Sequence, residues 1–173
     1  MRRKVVYRVL AASELDAVRP LWDMLRRHHV EKSPHFKWRY RELTFDERKL
    51  ALLEKDELFI DTACLDGSGE MAGYCVSSIV GRGGTIEGEV DSILVAPAYH
   101  KLGIGLVLMS RAMAWLEEKG AGPVKVVVAA GNEEVFPFYE AFGFHLFSHV
   151  LVRRPPPGAG KKSKGENPDQ KTS

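Results

Sequence analysis

The sequence predicts an α/β fold, a mixed and mostly antiparallel sheet of about six strands flanked by four helices. Three observations lead there. Three apolar, β-branched segments, "ELFIDTACL", "MAGYCVSSIV" and "TIEGEVDSILVA", follow one another with only "DGSGE" and "GRGG" between them, joints that favour tight hairpins. Stretches with apolar residues at helical spacing lie on both sides of this block. Its last segment runs into a long helical pattern and then another apolar segment, a crossover that sets two parallel strands side by side.

Each element has its own warrant. "KVVYRVL" (4–10) is the first strand. Ser13 can cap a helix from Glu14 to His29, in which Leu15, Val18, Leu21, Trp22 and Leu25 share a face. Pro34 breaks the chain, and "RRHHVEKSPHFKWRYRELT" (26–44) reads as the turn to a second helix, Phe45 to Lys55, opened by the capping-box pair Thr44 and Glu47. After the three central strands a helix runs from Ile104 to Lys119 and stops at Gly120. "VKVVVAA" is a fifth strand, "EEVFPFYEAFG" a short helix and "HLFSHVLV" a closing sixth strand.

A chain of 173 residues can bury one core, and its composition divides it into a domain over 1–152 and a basic tail over 153–173. The tail holds six Lys/Arg against two Asp/Glu, a charge of +4, so the overall +2 leaves −2 for the body. "RRPPPGAGKKSKGENPDQKTS" has too little apolar surface to repay ordering and is expected to be disordered. No apolar run reaches the roughly 18 residues of a membrane span. The short apolar stretch after "MRRK" lacks a cleavage pattern, so a cytoplasmic location is expected. Nothing outside the tail suggests nucleic-acid binding. Metal-ligand spacing is missing, and Cys64 and Cys75 read as buried free thiols. A homodimer stays open.

The chemistry starts at "APAYHKLGIGLVLMSRAMAWL" (96–116). Gly103 and Gly105 stand where an extended segment meets a helix, and glycine in a helix costs roughly 1 kcal/mol against alanine. The junction offers unpaired backbone N–H groups and the positive end of the helix dipole, and glycine lets an anion come close to them. A phosphate or pyrophosphate is the natural guest for the N–H groups of Lys101, Leu102, Gly103, Ile104 and Gly105. Alternation along "IEGEVDS" puts Glu87, Glu89 and Asp91 on one strand face. That face is either a solvated edge or the surroundings of a cationic amine.

Together, "VDSILVAPAYHKLGIGLVLMSRAMAWL" and "AAGNEEVFPFYEAFGF" (129–144) resemble the acyl-CoA signature of the GNAT superfamily of N-acyltransferases. With the order of elements, the resemblance covers nearly all of residues 4–152. It departs at His100, where the family has Gln or Arg; a histidine can still donate to a phosphate or to the loop carbonyls. The resemblance implies an acetyl-CoA-dependent N-acetyltransferase, without a metal, acting directly on a primary amine of a small molecule, peptide or protein in a ternary complex. It implies that the fourth and fifth strands splay to admit the pantetheine arm along Ile93, Leu94 and Val95. It makes Tyr139 the proton donor to the departing thiolate, and has Asn132 either cap its helix or bond the arm. Glu89 matches the catalytic glutamate of the histone-acetylating branch, which makes it the first candidate base, with Asp91 and Glu87 behind it. The acceptor should lie under residues 26–44, where His28, His29, His35, Phe36, Trp38 and Tyr40 are candidate lining. The competing reading is a non-catalytic acyl-CoA sensor, which needs only the glycine loop and the strand.

Overall fold

A computed structural model describes residues 4–154; the expected tail, from 155 onward, lies outside them. Five strands form one open sheet in chain order: β1 Val5–Leu10, β2 Glu57–Leu65, β3 Met71–Arg82, β4 Thr85–Val95 and β5 Val124–Val126. β1 to β4 are antiparallel neighbours, while β4 and β5 run parallel, as the short joints and the helical crossover require. The helices are α1 Arg19–Lys32, α2 Lys37–Glu42, α3 Phe45–Leu53, α4 Ile104–Glu118 and α5 Phe136–Glu140.

The pleat of β3 shows how they are layered. Gly73 faces Ile104 and Leu108 of α4, with a Cβ there reaching 3.3 Å from each. The next side chain, Tyr74, points the other way and feels the charge of Arg48 on α3. α4 therefore covers one face, and α3 lies on the other. Ile104, Leu108, Met109, Ala112 and Leu116 form the buried stripe of α4, at most 1% exposed. Leu15, Val18, Leu21, Trp22, Phe45 and Leu52 fill the opposite layer, where Trp22 meets Phe45 edge-on with centroids 5.3 Å apart.

Four details differ from the sequence expectation, each for a local reason. Ala12–Val18 is a 3₁₀ helix, and α1 begins only at Arg19, where Pro20 sits in the first turn and needs no N–H partner. The cap there is not Ser13; the Glu14 carboxylate accepts from the Ala11 N–H at 2.9 Å. The expected turn over 26–44 contains a helix of its own, α2, started where the Phe36 N–H donates to Ser33 Oγ at 3.1 Å. Only Val124–Val126 of "VKVVVAA" is strand, and "HLFSHVLV" forms none, so the sheet holds five strands rather than six. A strand exists only where an edge pairs with it, and β5 leaves its neighbour after Val126. By contrast, the Thr44–Glu47 capping box forms as expected, and both cysteines are free, Cys75 buried as expected and Cys64 only half-buried. Among the described residues no helix is long and apolar enough to cross a membrane.

Asp61 of β2 is fully buried and accepts from Arg111 of α4 at 2.5 and 3.2 Å. Removing Arg111 would strand a buried carboxylate. Arg111→Ala should cost about 3 kcal/mol, the low end for a broken buried pair because solvent reaches the arginine. Urea unfolding at constant m value checks this; a loss below about 1 kcal/mol would mean that the pair behaves like an exposed one.

Candidate active site

β4 and β5 share only the register pairs Gly88–Val124, Glu89–Lys125 and Val90–Val126. β4 bulges just beyond them: Val76 faces Ser92 and Ser77 faces Val90, which leaves Asp91 as the extra residue. A bulge bends its strand and re-aims the residues that follow. The two chains then part around a cavity of about 600 Å³, walled by Asp91 to Val95 on one side and Val126 to Ala129 on the other. That is the size of a small-molecule site.

The gap is braced from α1. His28 Nε2–H donates to Asn132 Oδ1 at 3.0 Å, and Lys32 Nζ to Glu134 Oε2 at 2.9 Å. Gly131, at φ +92°, lies so close that a Cβ would sit 2.2 Å from the Lys32 carbonyl oxygen, an approach open only to glycine.

At the start of α4, Gly103 caps the helix with φ +75°. Lys101, at φ +65°, is the only other left-handed residue in this loop, and such reversals turn successive N–H groups into an anion-binding concavity. Ile104 is buried and Leu102 exposed, and neither lines the cavity, nor do Lys101 and Gly103. Gly105 lines the cavity; a Cβ on it would touch Val95 and Phe138 at 3.7 Å, room for a methyl and little more. His100 Nε2–H donates to the Val95 carbonyl at 2.8 Å and so ties the loop to the strand end, the second of the two roles open to it. An unpaired strand edge for an amide arm and a helix N-terminus for phosphates therefore meet in one cavity. These residues fit CoA.

Asp91, Ile93, Leu94, Val95, His100, Gly105, Asn132 and Tyr139 all line the cavity. Glu89 does not; its carboxylate, 17% exposed, bridges Lys55 at 3.3 Å and Lys125 at 3.4 Å. Asp91 is 1% exposed, with Oδ1 paired to Arg48 at 3.0 Å and Oδ2 beside Ser78 without a well-formed bond. Burial raises the Asp91 carboxyl above its ordinary range, against the opposing pulls of Ser78 and Arg48. Of the aromatic and histidine candidates in 26–44, only His28 and His29 reach the wall. His29 packs against Tyr40 with the rings tilted and their centroids 5.1 Å apart, and burial, helped by the charge of His28, lowers it to about 4. Tyr139 packs against Phe138 and Phe144, and burial pushes its phenol up to about 12, with Cys75 adding to the rise. Cys75 is itself raised to about 12 by burial, which makes it inert as a nucleophile. The His28–Asn132 bond and the cations on Glu89 and Asp91 span distant parts of the chain and leave no local sequence signal.

Comparison with known proteins follows the same lines. The sequence profile of the acetyltransferase (GNAT) family matches residues 20–144. The [ribosomal protein bS18]-alanine N-acetyltransferase of Escherichia coli K12 is 27% identical over 133 residues, 76% of this chain and 79% of that one. A Pyrococcus furiosus protein superposes with a TM-score of 0.69 at 21% identity, over 87% of this chain and all of its own. An aminoglycoside N-acetyltransferase in complex with CoA superposes at 0.63 and 19%, over 90% and 97%. At these structural identities the likeness is one of fold.

Gly105→Ala separates fold from binding. The added methyl clashes with nothing and favours the helix, so the melting temperature should hold or rise. CoA affinity should fall at least tenfold by calorimetry, because the methyl projects into the cavity. Unchanged affinity would place the phosphates elsewhere.

Proposed function

The chain belongs to the acetyltransferase (GNAT) family and is an acetyl-CoA-dependent N-acetyltransferase; from that premise we propose that the cavity between β4 and β5 is where the acetyl group passes directly to a cationic primary amine. One observation carries this reading. A single cavity collects the free edge at Ile93, Leu94 and Val95, the helix start at Gly105, and the side chains of Asn132 and Tyr139. A sensor would need only the first two.

Each group then has a task. The N–H groups from Lys101 to Gly105, with His100 fixing the loop, hold the pyrophosphate. The backbone of Ile93 to Val95 aligns the pantetheine arm, and Asn132, held by His28, orients it. Tyr139 gives its phenolic proton to the leaving sulfur; a phenol raised to about 12 stays protonated across the neutral range. Glu89 accepts the proton lost by the amine, with Asp91 behind it. Since Glu89 does not line the cavity, that proton reaches it through water.

Glu31 on the cavity wall supports a cationic acceptor; Glu134 there is already paired with Lys32. The relatives suggest the acceptors to try first, a peptide bearing an N-terminal alanine and an aminoglycoside. The catalytic domain spans 1–152 and residues 153–173 are a basic tail. Two free cysteines support a cytoplasmic location, and exposed apolar residues after Phe144 support a homodimer.

Thiol release from acetyl-CoA, measured across an amine panel, tests the reading. Tyr139→Phe should lower kcat about 100-fold with little change in the KM for acetyl-CoA. Glu89→Gln should lower kcat with an amine acceptor and leave CoA binding intact. Wild-type turnover in both variants would remove these roles. Because a proton donor fails only as pH approaches its own pKa, the phenol should impose no alkaline limb on kcat below about pH 11.

A further inference from the structure

β4 carries an extra residue, Asp91, that neither neighbouring strand takes into register. A bulged residue loses its place in the ladder, and its backbone groups need other partners. Arg48 supplies one. Its Nη2 donates to the Asp91 carbonyl at 3.2 Å and to Asp91 Oδ1 at 3.0 Å. One nitrogen therefore grips backbone and side chain together, at the point where β4 leaves β5.

The arginine comes from a fixed place. It stands in the first turn of α3, directly after the Thr44–Glu47 capping box, and its own N–H donates to the Thr44 carbonyl at 3.2 Å. Phe45 and Leu52 anchor that helix in the core. Arg48 is half-buried and the Asp91 side chain buried, so salt and solvent screen the contact little. Lys55, just past α3, meets the Glu89 carboxylate at 3.3 Å. Arg48 differs from it in also holding the backbone. Beyond Asp91 come Ser92, Ile93, Leu94 and Val95, all on the cavity wall. A bulge bends its strand, so the geometry at Asp91 sets the direction of those backbone groups.

We infer that Arg48 is a positioning residue for the cofactor: by holding the Asp91 carbonyl it fixes the β4 bulge and aims the Ile93–Val95 edge at the acyl-CoA arm. Arg48 does not line the cavity, so it acts through β4 and not on the ligand. A ligand's apparent affinity falls with the population of the conformer that can bind it. Loss of the clamp should therefore appear as lost affinity. The inference rests on the cavity being the cofactor site, as proposed above.

CoA affinity by calorimetry, with amide hydrogen exchange on the same proteins, tests it. Arg48→Met should weaken CoA binding about tenfold, the worth of one such hydrogen bond, and speed exchange from Ser92 to Val95 in the free protein. Removing Arg48 also strands the Asp91 carboxylate, so the substitution is repeated on an Asp91→Ala background, where only the carbonyl contact is left to lose. A loss of the same size should recur there. If the stranded charge unfolds Arg48→Met, the comparison on Asp91→Ala decides alone. Arg48→Lys should recover most of the affinity, because one ammonium can replace one nitrogen. Affinity unchanged by Arg48→Met, a loss that vanishes on Asp91→Ala, or a lysine no better than methionine would each overturn the inference and leave the cavity assignment standing. CoA that binds the wild type without protecting Ile93 to Val95 would overturn both.

Discussion

β4 and β5 remain hydrogen-bonded only from Gly88 to Val90, and the site follows from their separation beyond it. Parallel strands with unmade ladder bonds leave donors and acceptors exposed, and a buried unpaired group costs about 1–3 kcal/mol. The parting must therefore be enforced. The bulge at Asp91 turns β4 away, and α1 holds the opposite wall through His28–Asn132 and Lys32–Glu134. The close approach of Gly131 to Lys32 sets how near that wall can come. Backbone groups left open on β4 are what an amide-bearing cofactor arm can use, so the cost of the gap falls when the ligand fills it.

Electrostatics divide the cavity into a neutral centre and charged margins. Tyr139, raised, and His29, lowered, are both uncharged near pH 7. Burial is the largest cause of both shifts, since it disfavours the charged form of an acid and of a base alike. Glu89 and Asp91 sit against Lys55, Lys125 and Arg48, which spread the acidity of that strand face over ion pairs. Glu31 and Arg27 lie on the wall nearer α1, and Glu134 there is paired with Lys32. The centre keeps a phenol that still holds its proton.

Much of this was legible in the sequence because it is local. Hairpin joints, the capping box at Thr44 and Glu47, the apolar stripe of α4 and the paired glycines at its start each depend on neighbours within a few residues. What was not legible is tertiary. Nothing near Glu89 announces that Lys55 and Lys125 will neutralise it, and nothing near His28 points to Asn132, 104 positions away. Pro20 explains the late start of α1, yet Ser13 offered a competing cap. The missing sixth strand has the same origin: "HLFSHVLV" has strand composition, but whether a segment pairs with a sheet edge is decided by tertiary placement.

Hydrogen exchange with and without CoA tests most directly whether the parted strands are the cofactor site. Filling the gap should slow exchange at the amides of Ile93 to Val95 and of Lys101 to Gly105, with β1 and β2 unchanged. CoA that binds while those amides exchange as before would contradict the assignment of this cavity and leave the gap between β4 and β5 without its ligand.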